Sequence, residues 1–260
     1  METTVYYVDA FTDQLFSGNP AAVIFSQIND CQLMQNIAAE NNLSETAFIR
    51  KENNTYHIRW FAPLCEIDLC GHATLASAFI FFKYIDHHSN IFEVQSLKNG
   101  ILTVTKNDDL LTLNFPKDLL TKYDDFNSIE NIINDRPLEL FMGRDDLLVI
   151  LESEDQIKNL NINFALLNEI KVRGLIVSAK GSDCDFVSRF FAPSAGVNED
   201  PVTGSAHTSL IPYWSRKLNK TKLLAKQISS RGGVLFCEDK NDIVLIGGKA
   251  VEYLKGKINV

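Results

Sequence analysis

Arg59-Trp60-Phe61-Ala62-Pro63 recurs as Arg189-Phe190-Phe191-Ala192-Pro193, 130 positions later in a chain of 260 residues. A pattern repeated at half the chain length is the mark of a duplicated unit, and it restricts the fold to two lobes built alike. Each Ala-Pro is followed by an acidic stretch and then by a glycine that opens an apolar segment. The first is Glu66-Ile67-Asp68-Leu69-Cys70-Gly71-His72-Ala73 and the second Asn198-Glu199-Asp200-Pro201-Val202-Thr203-Gly204-Ser205-Ala206. The two glycines, Gly71 and Gly204, lie 133 positions apart, as do Asn99-Gly100-Ile101-Leu102 and Gly232-Gly233-Val234-Leu235. Lobes over residues 1–116 and 117–260 follow, with a joint in the Lys-, Asp- and Asn-rich segment 116–135. At about 150 residues per domain the length agrees with two such lobes.

Local patterns say what each lobe is made of. Thr4–Val8 and Ala22–Phe25 are β-rich runs on either side of Ser17-Gly18-Asn19-Pro20, which predicts a hairpin. Asp30 can cap a helix that turns Leu33, Met34, Ile37 and Ala38 to one side and ends at Asn41-Asn42. Strand character returns at Thr46–Ile49 and Thr55–Phe61, and later at Phe92–Val94, Ile101–Thr105 and Leu110–Phe115. From Gly71 to Phe82 the sequence is apolar nearly all round, as in a helix enclosed by other elements. The second half repeats the theme: strands at Leu147–Leu151, Leu175–Val177 and Phe186–Phe191, a helix from Gly204 that Pro212 should kink or shorten, and strands near Val234 and Val244. The expected class is α+β, each lobe a mostly antiparallel, barrel-like sheet around a central helix.

Composition excludes several functions. With 25 basic against 33 acidic residues the net charge is −8, which disfavours nucleic acid or an anionic membrane surface as partner. The longest apolar stretch, Ala73–Phe82, is half of the roughly 20 residues needed to cross a bilayer, and Met1–Tyr7 does not resemble a secretory signal, so a cytoplasmic location is expected. The five cysteines are widely spaced, never as CxxC, and point to reduced thiols with no structural zinc. No dinucleotide or P-loop glycine pattern and no G-x-S-x-G elbow occurs. A reaction run by this chain is expected to need neither metal nor organic cofactor.

The start of each central helix is the first candidate site. Unpaired N–H groups at Gly71-His72 and Gly204-Ser205, at the positive end of a helix dipole, suit an anion such as a substrate carboxylate. The repeat would bring both termini to one cleft between the lobes. Glu45, between Leu43 and Phe48 at a helix-to-strand edge, suits a general base if covered and is a solvated strand-end Glu if not. Asp200 before Pro201 is the second half's candidate carboxylate. Cys70 precedes a helix, where a dipole lowers a thiol's pKa, but its counterpart at position 203 is a threonine, so two-thiol racemisation is disfavoured and a buried, inert thiol is expected. His72 and His207 match no metal spacing and each can pack or hydrogen-bond at its helix start.

Four blocks carry a resemblance. Val8-Asp9-Ala10-Phe11-Thr12 with Phe16-Ser17-Gly18-Asn19-Pro20-Ala21-Ala22-Val23, then LSETAF at 43–48, RWFAPLCEIDLCGHAT at 59–74 and NEDPVTGSAH at 198–207 together resemble the phenazine-biosynthesis PhzF-like family. The resemblance spans essentially the whole chain. It implies the diaminopimelate-epimerase-like fold, with two pseudo-symmetric lobes, a homodimer, and an active site between the lobes that uses no metal or organic cofactor. It assigns Glu45 to moving a proton, Asp200 and His72 to contacting substrate and relaying protons, and Gly71, His72, Gly204 and Ser205 to holding a carboxylate, with Asn19 in the substrate-binding set. Cys70 stands where related epimerases and proline racemases carry a catalytic thiol.

The function expected is therefore a cofactor-independent isomerase that transfers a proton on a small anionic, carboxylate-bearing substrate, with Glu45 as acid and base. One alternative is an epimerase, racemase or dehydratase that depends on Cys70. Another is a non-catalytic binding or interaction protein on the same scaffold.

Overall fold

The computed structural model describes residues 2–260 and divides the chain into two compact units, one of Met1–Asn114 with Gly247–Val260 and one of Phe115–Ile246.

The first unit opens with β1 (Glu2–Ala10) and β2 (Asn19–Phe25), followed by α1 (Cys31–Asn41), β3 (Glu45–Glu52), β4 (Thr55–Phe61) and the short β5 (Glu66–Ile67). α2 (Gly71–Ile80) ends in a wider turn over 81–85, and β6 (Ile91–Ser96), β7 (Gly100–Asn107) and β8 (Leu110–Pro116) complete the run. β1 and β2 form the expected hairpin, with Tyr6 opposite Val23 and Ala10 opposite Asn19. β2 runs parallel to β3, β3 antiparallel to β4, β4 parallel to β6, and β6, β7 and β8 antiparallel in turn. α1 forms as its sequence dictates: the Asp30 carboxylate accepts from Leu33 N–H, Asn42 takes the left-handed conformation that closes the helix, and Met34, Ile37 and Ala38 are buried. α2 lies against β1, β2, β3 and β7, and every residue from His72 to Ala78 is buried, which explains why it carries no polar face.

The second unit contains β9 (Thr121–Lys122), α3 (Phe126–Ile133), β10 (Glu139–Met142), β11 (Asp146–Ile150), α4 (Glu154–Lys158), α5 (Phe164–Leu167), β12 (Gly174–Lys180) and β13 (Phe186–Ala192). It continues through β14 (Val197–Asp200), α6 (His207–Leu218), β15 (Lys222–Gln227), β16 (Gly233–Lys240) and β17 (Ile243–Gly248). β18 (Ala250–Asn259) belongs to the first unit, where it pairs antiparallel with β1. The duplication is visible in the pairing. β10 is antiparallel to β11, β11 parallel to β12, β12 antiparallel to β13, β13 parallel to β15, and β15 antiparallel to β16. That sequence of senses is the one traced from β1 to β7.

Three local expectations are corrected. The segment 116–135 is not a bare linker: Asp125 caps α3 by accepting from Ser128 N–H at 3.1 Å, and Ile129, Ile132 and Ile133 enter the second unit's core with Leu140, Leu147 and Val149. Its polar composition reflects the outer face of a short amphipathic helix. The second central helix starts at His207, not Gly204, because residues 204–206 form tighter turns in which His207 N–H bonds Gly204 O and Thr208 N–H bonds Ser205 O. Of the two effects expected of Pro212, shortening does not occur: α6 runs on to Leu218. A proline cannot supply the N–H for Thr208 O, but the Asp118 N–H donates to that carbonyl instead, at 3.2 Å.

Candidate functional site

In the first unit, Glu45 is the first residue of β3 and His72 the second residue of α2. Their placement follows from the fold: β3 begins beside Ala21 of β2, and α2 packs against both strands. The Glu45 side chain is 18% exposed and that of His72 is 6% exposed, with Glu45 Oε2 3.0 Å from His72 Nε2. The approach is an ion pair by distance but is not aligned as a hydrogen bond, so Glu45 Oε2 is a buried carboxylate oxygen without a hydrogen-bond partner. Cys70, also buried, places Sγ 3.6 Å from His72 Nδ1 and 4.0 Å from Nε2. A carboxylate, an imidazole and a thiol thus converge, with one donor atom from each lying within 4.8 Å of the others.

The electrostatics of this group agree with the expected buried, inert Cys70. Burial, with the Glu45 carboxylate adding to it, raises the Cys70 thiol above its ordinary pKa and outweighs the helix terminus that was expected to lower it. His72 is moved the other way. Burial disfavours its charge, yet the neighbouring Cys70 and Glu45 hold the imidazole well above its usual value.

Among the described residues no side chain caps the start of α2, where Cys70 is the last non-helical residue and Gly71 and His72 follow; the Cys70 carbonyl is taken by Thr74 N–H and Thr74 Oγ1. Asn19 begins β2, the strand next to Glu45, and is fully buried.

In the second unit, Asp200 ends β14 and Gly204 and Ser205 lie in the turns that lead into α6. The Thr203 hydroxyl donates to Asp200 Oδ2. His207 is buried with Nδ1 2.8 Å from Thr203 O, and burial pulls its pKa down to about 4, so it is a neutral structural imidazole. Two further residues shape this loop and are missed by the sequence reading. Gln227, at the end of β15, donates from Nε2 to Asp200 O at 2.8 Å and accepts Thr203 N–H at 2.8 Å. Its signal was present: Leu223, Ala225 and Gln227 alternate, which puts a polar residue on a buried face. Arg173 pairs bidentately with the buried Asp146 and donates to Ser205 Oγ at 3.2 Å. No local pattern marks that pair, because its members are joined by the parallel register of β11 and β12.

Structure and site together define the class: an α+β fold duplicated within one chain, with a buried acid–base group at a helix start. The chain belongs to the phenazine biosynthesis-like protein family, whose model matches residues 8–256. It is 45% identical to an uncharacterised isomerase of Pseudomonas aeruginosa, an alignment that covers 100% of both chains. Its structure matches a crystal structure of a PhzF-family phenazine biosynthesis protein from Enterococcus faecalis with a TM-score of 0.97 at 44% identity, covering 100% of each. A predicted epimerase of P. aeruginosa, at 14% identity and a TM-score of 0.79 over 99% of each chain, shares the fold.

Proposed function

We propose that the chain is an isomerase that moves a proton between carbons of a small carboxylate-bearing substrate, with Glu45 as the acid and base and no bound cofactor. The observation that supports it is the Glu45 carboxylate, most of it buried, with one oxygen left unbonded beside His72. A base held in this way is ready to accept a proton, and a positioned base of this kind contributes about 10²–10⁴ in rate. The uncapped start of α2 at Gly71-His72 can hold the substrate carboxylate and steady the charge that develops as the proton leaves. His72 can then return a proton or fix the Glu45 carboxylate in its working orientation. Family resemblance adds Asp200, Gly204, Ser205 and Asn19 as substrate-contacting groups. It also makes a homodimer the expected assembly. The isomerase names of the family relatives support the reaction class.

A second reading makes Cys70 the reacting group, and its approach to His72 Nδ1 at 3.6 Å favours it, whereas burial of the thiol opposes it. Incubating the protein with panels of cyclic and unsaturated amino and hydroxy acids in heavy water, and following deuterium entry at carbon by NMR, separates the two. Glu45→Gln should reduce exchange by about 10³ and Cys70→Ser by less than tenfold. The reverse ranking would establish the thiol reading. Equal exchange in wild type and Glu45→Gln would refute the role given to Glu45.

A further inference from the structure

The donor set at the start of α2 has a second capacity. We propose that Glu45, Cys70 and His72 form a binding site for one soft divalent cation of the zinc class, with its fourth position open to water or to a carboxylate. One atom each of oxygen, sulfur and nitrogen lie within 4.8 Å of one another, among them Glu45 Oε2 and His72 Nε2 at 3.0 Å and Cys70 Sγ and His72 Nε2 at 4.0 Å. Zinc bonds of about 2.0–2.3 Å to such atoms put neighbouring donors of a tetrahedral ion roughly 3.3–3.6 Å apart, so the side chains must close on an ion by up to about 1 Å, which a change of side-chain torsion can supply.

Two of the three donors are anchored on one rigid segment. Cys70 and His72 flank Gly71 at the helix start, and the Cys70 carbonyl is tied to Thr74 by both its N–H and its hydroxyl. The third donor offers an oxygen that is buried and has no hydrogen bond, so an ion there would replace only its charge contact with His72. A thiolate with an imidazole selects zinc or cobalt over magnesium or calcium, whose preferred partners are oxygen atoms. On binding, the Cys70 thiol and a protonated His72 each give a proton to solvent, so that the imidazole coordinates through an unprotonated nitrogen.

This site goes beyond the isomerase reading and stands on the geometry of the donors. An occupying ion would tie up Glu45 and His72, so the same side chains would serve either proton transfer or metal binding.

The test is titration of the purified, chelator-treated full chain with Co²⁺, read by absorption, and with Zn²⁺, read by calorimetry. Wild type should take up one ion per chain and show the near-ultraviolet band of sulfur-to-cobalt charge transfer. Cys70→Ser should lose the band, and His72→Ala should weaken binding by at least about tenfold. Glu45→Gln should weaken binding while keeping the band, and Mg²⁺ should not compete. X-ray absorption at the zinc edge of wild type, which needs no variant, should find one sulfur among lighter ligands. A band that survives in Cys70→Ser would place the ion on another thiol and overturn the proposal, as would equal affinity in all variants or a zinc shell without sulfur. A loss of deuterium exchange in Glu45→Gln accompanied by no metal binding in wild type would overturn the metal site and leave the isomerase reading intact.

Discussion

Acidifying the protein from pH 7 to pH 4 should cost about 3 kcal/mol of stability through one side chain, His207. This imidazole is fully buried, its Nδ1 lies 2.8 Å from Thr203 O, its Nε2 has no hydrogen-bond partner, and the Phe186 ring lies 5.8 Å away between centroids. Since a carbonyl only accepts, Nδ1 carries the proton in the neutral ring. A second proton would go on Nε2, where it would add a charge and a donor that nothing accepts. The folded pKa therefore falls from 6.5 to about 4. A depressed folded pKa means that the unfolded chain binds the extra proton first as pH drops. The contribution is complete above pH 6.5 and is lost between there and about pH 4. At about 1.4 kcal/mol per pKa unit, a shift of this size amounts to about 3 kcal/mol. His207→Asn keeps a donor near Thr203 O, removes the titration, and should cost about 1–3 kcal/mol at pH 7 for the smaller side chain. Urea unfolding of both proteins at half-unit steps from pH 7.5 to 4 isolates the effect from carboxylates that titrate in both. On acidification the difference should shift by about 3 kcal/mol in favour of His207→Asn, closing or reversing the gap. Parallel curves would refute the reasoning.

Two further substitutions test the second unit's loop. Gln227→Ala leaves the buried Thr203 N–H without an acceptor and should cost about 2–3 kcal/mol in urea unfolding, with faster hydrogen exchange at the Thr203 amide than at distant sites; unchanged exchange would show that Gln227 does not hold the loop. Arg173→Ala strands the buried Asp146 and should cost about 2–3 kcal/mol, less than a fully buried pair because the Arg173 side chain is 42% exposed, and adding Asp146→Asn should recover part of that loss. A double variant no more stable than the single one would place the cost in lost packing.

The parts of the fold that showed in the sequence are those set by short-range rules. The α1 cap at Asp30, the hairpin around Gly18 and the enclosed α2 all follow from residues within a turn or two of one another. The misread segments depend on distant partners. Thr208 O is satisfied from Asp118, 90 residues away, so nothing near Pro212 could show that the helix would continue. The candidate site divides in the same way. Glu45, Cys70 and His72 were legible as chemical types and an inert Cys70 was expected, but the burial that raises its thiol depends on the packing of α2. Gln227 and Arg173 reach their loop only through β15 and the register of β11 with β12.

The duplication also bears on the proposed proton transfer. Its mechanical parts occur twice. Arg59 pairs with Glu66 and covers Phe61, and Arg189 pairs with Glu199 and covers Phe191. Thr74 bonds the carbonyl of residue 70, and His207, 133 positions on, bonds that of residue 203. The positions proposed to react occur once. Cys70 corresponds to Thr203 and His72 to Ser205, and because Arg59 lies opposite Phe48 as Arg189 lies opposite Val177, Glu45 corresponds to Gly174. A side chain cannot simply be placed there: a Cβ on Gly174 would lie 2.3 Å from the Phe190 ring, which itself lies under Arg173. The second unit therefore has no base at the position equivalent to Glu45, which favours one carboxylate that both removes and returns the proton over two mirrored bases. Gly174→Ala should cost about 1–3 kcal/mol from overpacking, and Phe190→Leu in the same chain should restore most of it. A Gly174→Ala protein as stable as wild type in urea would show that the ring yields freely, and would remove the steric reason why the second base is missing.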